Sequence, residues 1–246
     1  VKRIIGRKPV LEALNKNVTV DRVYIAFNQH GKIIDAIIVA AKKRGINVTR
    51  LSAHKFTELE KGSNSQGVIA IASDLRFYSI DEIFNELSKV ELPLVLLLDS
   101  IQDPHNLGAI LRTADAAGVN AVFSTVHKSV SFTDVVEKTS AGAVNHLKIC
   151  RVHKLSQVME LLKSEGFWIV GTSLKGDKFY DEIKYDMPTA VVLGNEGKGM
   201  RPSIESKCDF LVKIPMLGKV QSLNVSVSTG IMLYEIVKQR KNKLIG

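Results

Sequence analysis

Residues 190–200 read Ala190-Val191-Val192-Leu193-Gly194-Asn195-Glu196-Gly197-Lys198-Gly199-Met200, an apolar run that breaks into a loop of three glycines, one acid and one base. Four aliphatic residues in a row, closed by glycine, have the pattern of a strand buried on both faces. A second unit of the same kind follows, with Phe210 to Ile214, then Pro215 and the polar, glycine-containing stretch Met216 to Asn224. Two strands that each release a glycine-bearing loop form a pocket at the carboxyl edge of a sheet, where open α/β folds place their ligands. The loop spacing matches neither G-x-x-x-x-G-K-[ST] nor G-x-G-x-x-G, so ATP and NAD fit poorly. Taken alone, the loop is equally a tight turn that needs positive φ.

Working outward, the rest of the chain alternates strands with helices. Val20 to Phe27, the run from Ile46 to Leu51 and Val68 to Ala72 read as strands. A helix opened near Pro9 precedes them, and between them lie a helix ended by Gly45, a short helix from the cap Ser52 to Lys61, and a turn from Gly62 to Gly67. A seam follows at Ser73 to Tyr78, and Ser79-x-x-Glu82 forms a capping box for a helix to about Lys89. Leu92 to Asp99 is the strongest buried-strand signal in the chain. Pro104 is expected to bar helix before Asn106, after which Leu107, Ile110 and Leu111 run at helical spacing to Gly118. Further strands are expected at Val119–Phe123, His146–Val152 and Phe167–Ser173, with helices at 133–140, at Lys154–Gly166 and from about Asn224 to Arg240. This alternation calls for a largely parallel sheet covered on both faces.

The chain has 246 residues, 45% of them hydrophobic and 24% charged, which is ordinary for a soluble globular protein. No apolar run approaches the roughly 18 residues of a membrane helix, and the charged start lacks the apolar core of a secretory signal. The expected compartment is the cytoplasm, although a chain that begins at Val1 leaves an upstream targeting segment open. Cys150 and Cys208 stand far apart, without a C-x-x-C pair, and Cys150-x-x-His153 has no second half, so neither a disulfide scaffold nor a metal site is expected. Net charge is +9, unevenly placed. Residues 1–73 hold 13 Lys/Arg against 5 Asp/Glu, and the last ten residues hold Lys238, Arg240, Lys241 and Lys243 with no acid. A basic front and tail on a near-neutral body suggest a polyanion gripped at the ends; solvated surface lysines are the plainer alternative.

Three places put polar groups beside glycine at strand ends. Asn106 opens a helix that carries Arg112; Asn195 and Glu196 stand in the glycine loop; Ser222 and Asn224 flank Leu223 at the mouth of the last helix. Each has a plainer reading, since Asn106, Ser222 and Asn224 are also N-cap residue types and Arg112 also suits an edge salt bridge. Together the ordered stretches N-L-G-A-I-L-R-T-A, G-N-E-G-K-G-M and I-P-M-L-G-K-V-Q-S-L-N-V-S-V resemble the three motifs of the SpoU/TrmH family, RNA ribose 2′-O-methyltransferases of the SPOUT superfamily. The resemblance covers about Leu92 to Arg240. Residues 1–73, with GRKPVLEAL and NSQGVIA, are similar to the basic substrate-binding domain of the subfamily that methylates a guanosine of large-subunit ribosomal RNA. One departure is Ser65, where that subfamily usually carries His before Gln66-Gly67.

The resemblance implies an organisation of 1–73 as RNA-binding domain, 74–90 as connecting segment and first helix, and 91–246 as catalytic domain with a carboxyl-terminal trefoil knot. It implies S-adenosylmethionine as cofactor, held by Gly194, Ile214, Leu223, Met216 and Thr172. It implies catalysis by Arg112, with Asn106, Glu196, Ser222 and Asn224 positioning Arg112 and the ribose; by charge, Glu196 is the natural ion-pair partner of Arg112. A guanidinium is protonated far above neutral pH, so Arg112 is expected to clamp a substrate phosphate that helps remove the ribose proton. Arg7, Lys8 and Gln66 are the expected RNA contacts. The partners implied are large-subunit ribosomal RNA, tRNA as the second choice, and a second copy of the chain paired through the knotted region. A drug-resistance ribosomal RNA methyltransferase shares this two-domain plan. From another class, a non-catalytic RNA-binding or ribosome-assembly factor with the same fold stays open.

Overall fold

A computed structural model describes residues 2–245 apart from 17, 61, 63, 73–74 and 127–128; at 2 and 242–245 it describes the backbone only. The chain divides into two compact units, residues 1–76 with 131–134, and residues 77–130 with 135–246. The expected boundary at Ser73 and the expected helix end at Lys61 lie outside the described residues.

The first unit holds β1 (Lys2–Ile5), α1 (Arg7–Asn15), β2 (Val20–Ala26), α2 (Lys32–Lys43), β3 (Asn47–Leu51), α3 (Ala53–Glu60) and β4 (Val68–Ala72). Its sheet runs β1-β4-β2-β3, with β4 antiparallel to both neighbours and β2 parallel to β3. Val10 and Leu14 of α1 and Ile34, Ile37 and Ala41 of α2 pack on Val23, Ile25, Val68 and Ala70. Phe56 of α3 covers Ile69 and Ile71. Alternate residues of β4 thus belong to two separate clusters, which is why Val68 to Ala72 is apolar throughout. β1 is absent from the sequence reading, because an opening Lys2-Arg3 shows no apolar alternation.

The second unit holds α4 (Ile80–Leu87), β5 (Leu94–Leu98), α5 (Pro104–Ala116), β6 (Ala121–Thr125), α6 (Asp134–Thr139), a 3₁₀ turn at Ala143–Asn145, β7 (Ile149–Val152), α7 (Leu155–Ser164), β8 (Trp168–Thr172), β9 (Lys178–Phe179), β10 (Thr189–Leu193), α8 (Pro202–Glu205), β11 (Phe210–Lys213) and α9 (Val225–Ile245). Seven strands form one sheet in the order β7-β6-β5-β10-β8-β11-β9, every pair parallel. Parallel strands place all their carboxyl ends on one edge, so the loops after β5, β8, β10 and β11 are brought together. Ile83 and Leu87 of α4, Val158, Met159 and Leu162 of α7 and Ile204 of α8 bury one face against Val95, Leu97, Phe123 and Val192. α9 packs on β10 and on α5.

Helix termini follow local chemistry. The capping box of α4 is complete, with Ser79 N–H donating to Glu82 at 2.7 Å and Glu82 N–H to Ser79 Oγ at 3.2 Å. α5 corrects the expected start at Asn106. Asp103 is its N-cap, and its Oδ1 accepts from His105 N–H at 2.7 Å and Asn106 N–H at 2.9 Å. Pro104 occupies the first helical position, where a missing N–H costs nothing, so it opens the helix instead of barring it. α9 also runs past the expected end at Arg240, which is held by the carbonyls of Leu92, Tyr185 and Met187.

Candidate active site

The loop after β10 closes on itself. Asn195 N–H donates to Gly199 O at 3.0 Å and Gly199 N–H returns to Asn195 O at 2.9 Å. Asn195 Oδ1 accepts from the N–H groups of Gly197 and Lys198, both at 3.1 Å, and its Nδ2 donates to Ser100 O at 3.0 Å. Gly194 is required sterically: a Cβ there would stand 2.2 Å from Met200 N and 2.3 Å from Gly199 C. Gly199 is required conformationally, with φ at +69°.

A buried carboxylate anchors the base of this loop. Asp99, at the end of β5 and fully buried, accepts from Arg201 N–H at 3.0 Å and Arg201 Nε at 2.8 Å, with Arg201 Nη2 2.7 Å away. Ser100, beside it, takes a left-handed φ of +67° and donates its N–H to Thr125 Oγ1 at 3.1 Å. Neither Asp99 nor Arg201 figures among the sequence candidates. Asp99 closes an apolar run and could have been noticed as an acid too costly to bury unpaired; nothing local marks Arg201 as its partner. Asp99→Ala is expected to cost about 2–3 kcal/mol of stability, less than the loss of a fully buried pair because Arg201 reaches solvent. An unchanged denaturant midpoint would remove the bridge from the account.

The loops after β8, β10 and β11 enclose a cleft of about 420 Å³. Thr172, Gly194, Ile214, Met216 and Leu223 all line it, as do Glu196 and Ser222. Lys175, Lys198, Lys213 and Glu205 add charge to the same wall. Ser173 Oγ donates to Glu205 at 2.7 Å, which fixes that carboxylate.

The remaining candidates divide. Asn224 Oδ1 caps α9 by accepting from Ser226 N–H at 2.8 Å, and its Nδ2 donates to Asn106 Oδ1 at 2.9 Å. Asn106 Nδ2 in turn donates to Glu196 Oε1 at 3.3 Å. The loop after β10, the first turn of α5 and the segment before α9 therefore contribute to one chain of polar contacts, Glu196–Asn106–Asn224. The expected pairing of Glu196 with Arg112 is not formed. Glu196 accepts from Asp103 N–H, Asn106 and Asn195 instead. Arg112 sits six residues beyond Asn106, about 9 Å along the helix axis, so the loop meets Asn106 first. Arg112 is exposed, outside the cleft lining, and has no hydrogen bond or ion pair to a described residue.

Burial pushes the thiols of Cys150 and Cys208 up to about 12, so neither is a nucleophile at neutral pH. Among the described residues no group of His, Cys, Asp and Glu could hold a metal ion, and no helix is long and apolar enough to cross a membrane. In the first unit, Arg7 Nε donates to Gln66 O at 3.0 Å, Lys8 is exposed, and Gln66 takes a φ of +53°. Ser65, the residue that departs from the resemblance, is buried and bonds Glu60 through its hydroxyl at 2.5 Å.

Residues 93–234 match the SpoU rRNA Methylase family, and residues 3–78 match the domain described as RNA 2′-O ribose methyltransferase substrate binding. YacO of Bacillus subtilis, which bears a provisional TrmH family tRNA/rRNA methyltransferase name, is 37% identical over 238 residues, covering 96% of this chain and 95% of its own. The AdoMet-bound rRNA methyltransferase of Sinorhizobium meliloti superposes with a TM-score of 0.60 at 25% identity, over 96% of this chain and 86% of its own. The TrmH/SpoU tRNA modifying enzyme of A. aeolicus gives 0.57 at 35% identity, over 66% of this chain and 84% of its own. With residues 93–234 matched and a relative 37% identical along nearly the whole chain, the chain belongs to the SpoU rRNA methylase family, and the region ahead of the methylase match resembles a substrate-binding domain.

Proposed function

We propose that the chain is an S-adenosylmethionine-dependent methyltransferase acting on a ribose 2′-hydroxyl of RNA, with a guanosine of large-subunit ribosomal RNA as its target. The observation that supports this most is the convergence of Thr172, Gly194, Ile214, Met216 and Leu223 on one cleft whose rim carries Glu196 and Ser222. The cleft fits the cofactor: Gly194 cannot bear a side chain, and Ile214, Met216 and Leu223 offer apolar faces for an adenine. When bound, the cofactor supplies an electrophilic methyl group. The protein then has to hold the ribose in line and provide for the hydroxyl proton. The chain Glu196–Asn106–Asn224 fixes the positions of these amides, and Ser222 faces the cleft beside them. Arg112, exposed and without an ion pair to a described residue, clamps the substrate phosphate next to the reacting hydroxyl.

Ribosomal RNA is favoured over tRNA by chain coverage. The Sinorhizobium meliloti rRNA methyltransferase aligns with nearly the whole chain, whereas the A. aeolicus tRNA modifying enzyme aligns with two thirds of it. tRNA remains the second reading, since that enzyme has the higher identity. Pairing of two copies belongs to the same proposal, supported by the exposed apolar residues Leu217, Val220, Val227 and Tyr234. So does the knot: β10 lies between β5 and β8 although it follows both in sequence. The cytoplasm is the proposed compartment.

The test is transfer of tritiated methyl from S-adenosylmethionine to unmodified large-subunit ribosomal RNA and to bulk tRNA, each alone. Label in the ribosomal RNA is the expected outcome. Label confined to tRNA would keep the chemistry and overturn the target. No label and no cofactor binding would move the chain to the assembly-factor class.

A further inference from the structure

Phe27 is 67% exposed at the carboxyl end of β2, in the turn Phe27-Asn28-Gln29-His30. A lone exposed phenylalanine is unremarkable on a protein surface. What distinguishes this one is how firmly its backbone is held and by which residues. Phe27 N–H donates to Leu51 O at 2.8 Å, and Gln29 N–H returns to Ala26 O at 3.1 Å. Arg50 Nη1 donates to the carbonyls of both Phe27 and Gln29, at 3.1 and 3.0 Å. Arg7 Nη2 donates to the Gln29 side chain while Arg7 Nε holds Gln66 O. Gly67 completes the clasp. A Cβ there would stand 2.4 Å from Gln29 Cγ, so only glycine lets Gln29 lie across this turn.

The result is an exposed aromatic residue on a turn braced by two guanidinium groups, which are anchored through neutral carbonyl and amide oxygens. Neither arginine is neutralised by a carboxylate of a described residue. An aromatic face beside unneutralised arginines is how proteins take an unpaired nucleobase together with its flanking phosphates. We infer that Phe27 is a stacking platform for an unpaired RNA base, with Arg50 and Arg7, which hold the same turn, for the phosphates on either side. The inference rests on the RNA methyltransferase reading and deepens it: the RNA would present a looped or bulged nucleotide to the first unit, not a continuous helix.

The test separates stacking from charge. Binding of the full chain to unmodified large-subunit ribosomal RNA and to bulk tRNA is measured by filter retention across a salt series. Phe27→Ala is expected to lower affinity for the bound RNA about tenfold at unchanged salt slope, since stacking releases no counterions. Arg50→Ala is expected to lower affinity and reduce the salt slope by about one. Phe27→Trp should restore binding and Phe27→Leu should not. Native affinity in Phe27→Ala, full rescue by leucine, or a changed salt slope would each overturn the proposal. S-adenosylmethionine binding in the same variants should match the native chain. Failure of the native chain to methylate any RNA would sink the catalytic reading, while the affinity ratios would still decide this one.

Discussion

Gly194→Ala is expected to lower affinity for S-adenosylmethionine by at least about a hundredfold, near 2.7 kcal/mol. The added methyl would stand 2.2 Å from Met200 N and 2.3 Å from Gly199 C, both backbone atoms that cannot swing aside. Relief requires the loop to open, which breaks the paired bonds between Asn195 and Gly199 and moves Glu196 and Lys198 on the cleft wall. Overpacking of this kind also costs about 1–3 kcal/mol of stability, so thermal melting should be followed beside calorimetric titration of the cofactor. Gly197→Ala provides the control within the same loop. Its Cβ would meet only Asn195 Oδ1, at 3.8 Å, so near-native binding is expected. If Gly194→Ala is folded and binds cofactor as the native chain does, the cleft is not the cofactor site.

Arg112→Ala is expected to reduce methyl transfer by about 10²–10⁴, the usual range for a group that assists proton transfer. Its affinity for the cofactor should be unchanged, because Arg112 does not line the cleft. This split between turnover and cofactor binding is what distinguishes loss of a catalytic group from loss of structure. The exposed guanidinium has no hydrogen bond or ion pair to a described residue, so truncation strands no buried charge, and the melting midpoint should move little. Arg112→Lys keeps the charge but loses the planar, two-pronged grip on phosphate, and should recover only part of the activity. Near-native turnover in Arg112→Ala would exclude Arg112 from the chemistry and leave the Glu196–Asn106–Asn224 chain to be tested in its place.

The two variants also separate what could be read from the linear chain. Parallel α/β architecture was legible because strands buried on both faces need uninterrupted apolar runs, as in Leu94–Leu98 and Thr189–Leu193, and because those runs alternate with helical periods. The capping box at Ser79 and Glu82 was legible for the same reason: it is a local interaction. Gly194, Glu196, Ser222 and Leu223 stand in loops that the linear pattern marks at strand ends, and they line one cleft.

Long-range contacts were not legible. Asp99 and Arg201 lie 102 residues apart, and only strand order makes β5 and β10 neighbours. Asn106 and Asn224, 118 residues apart, each had a sufficient local explanation as a cap; in the fold Asn224 is both a cap and a partner, while the cap of α5 is Asp103. The same limit misplaced Glu196, which chemical type alone matched to Arg112 and which the fold turns toward Asn106 and the start of α5. Residue type and spacing determined the elements, the loops and the kinds of groups they offer. Which of those groups touch was decided by the sheet order β7-β6-β5-β10-β8-β11-β9, because hydrogen bonds depend on distances that periodicity does not encode.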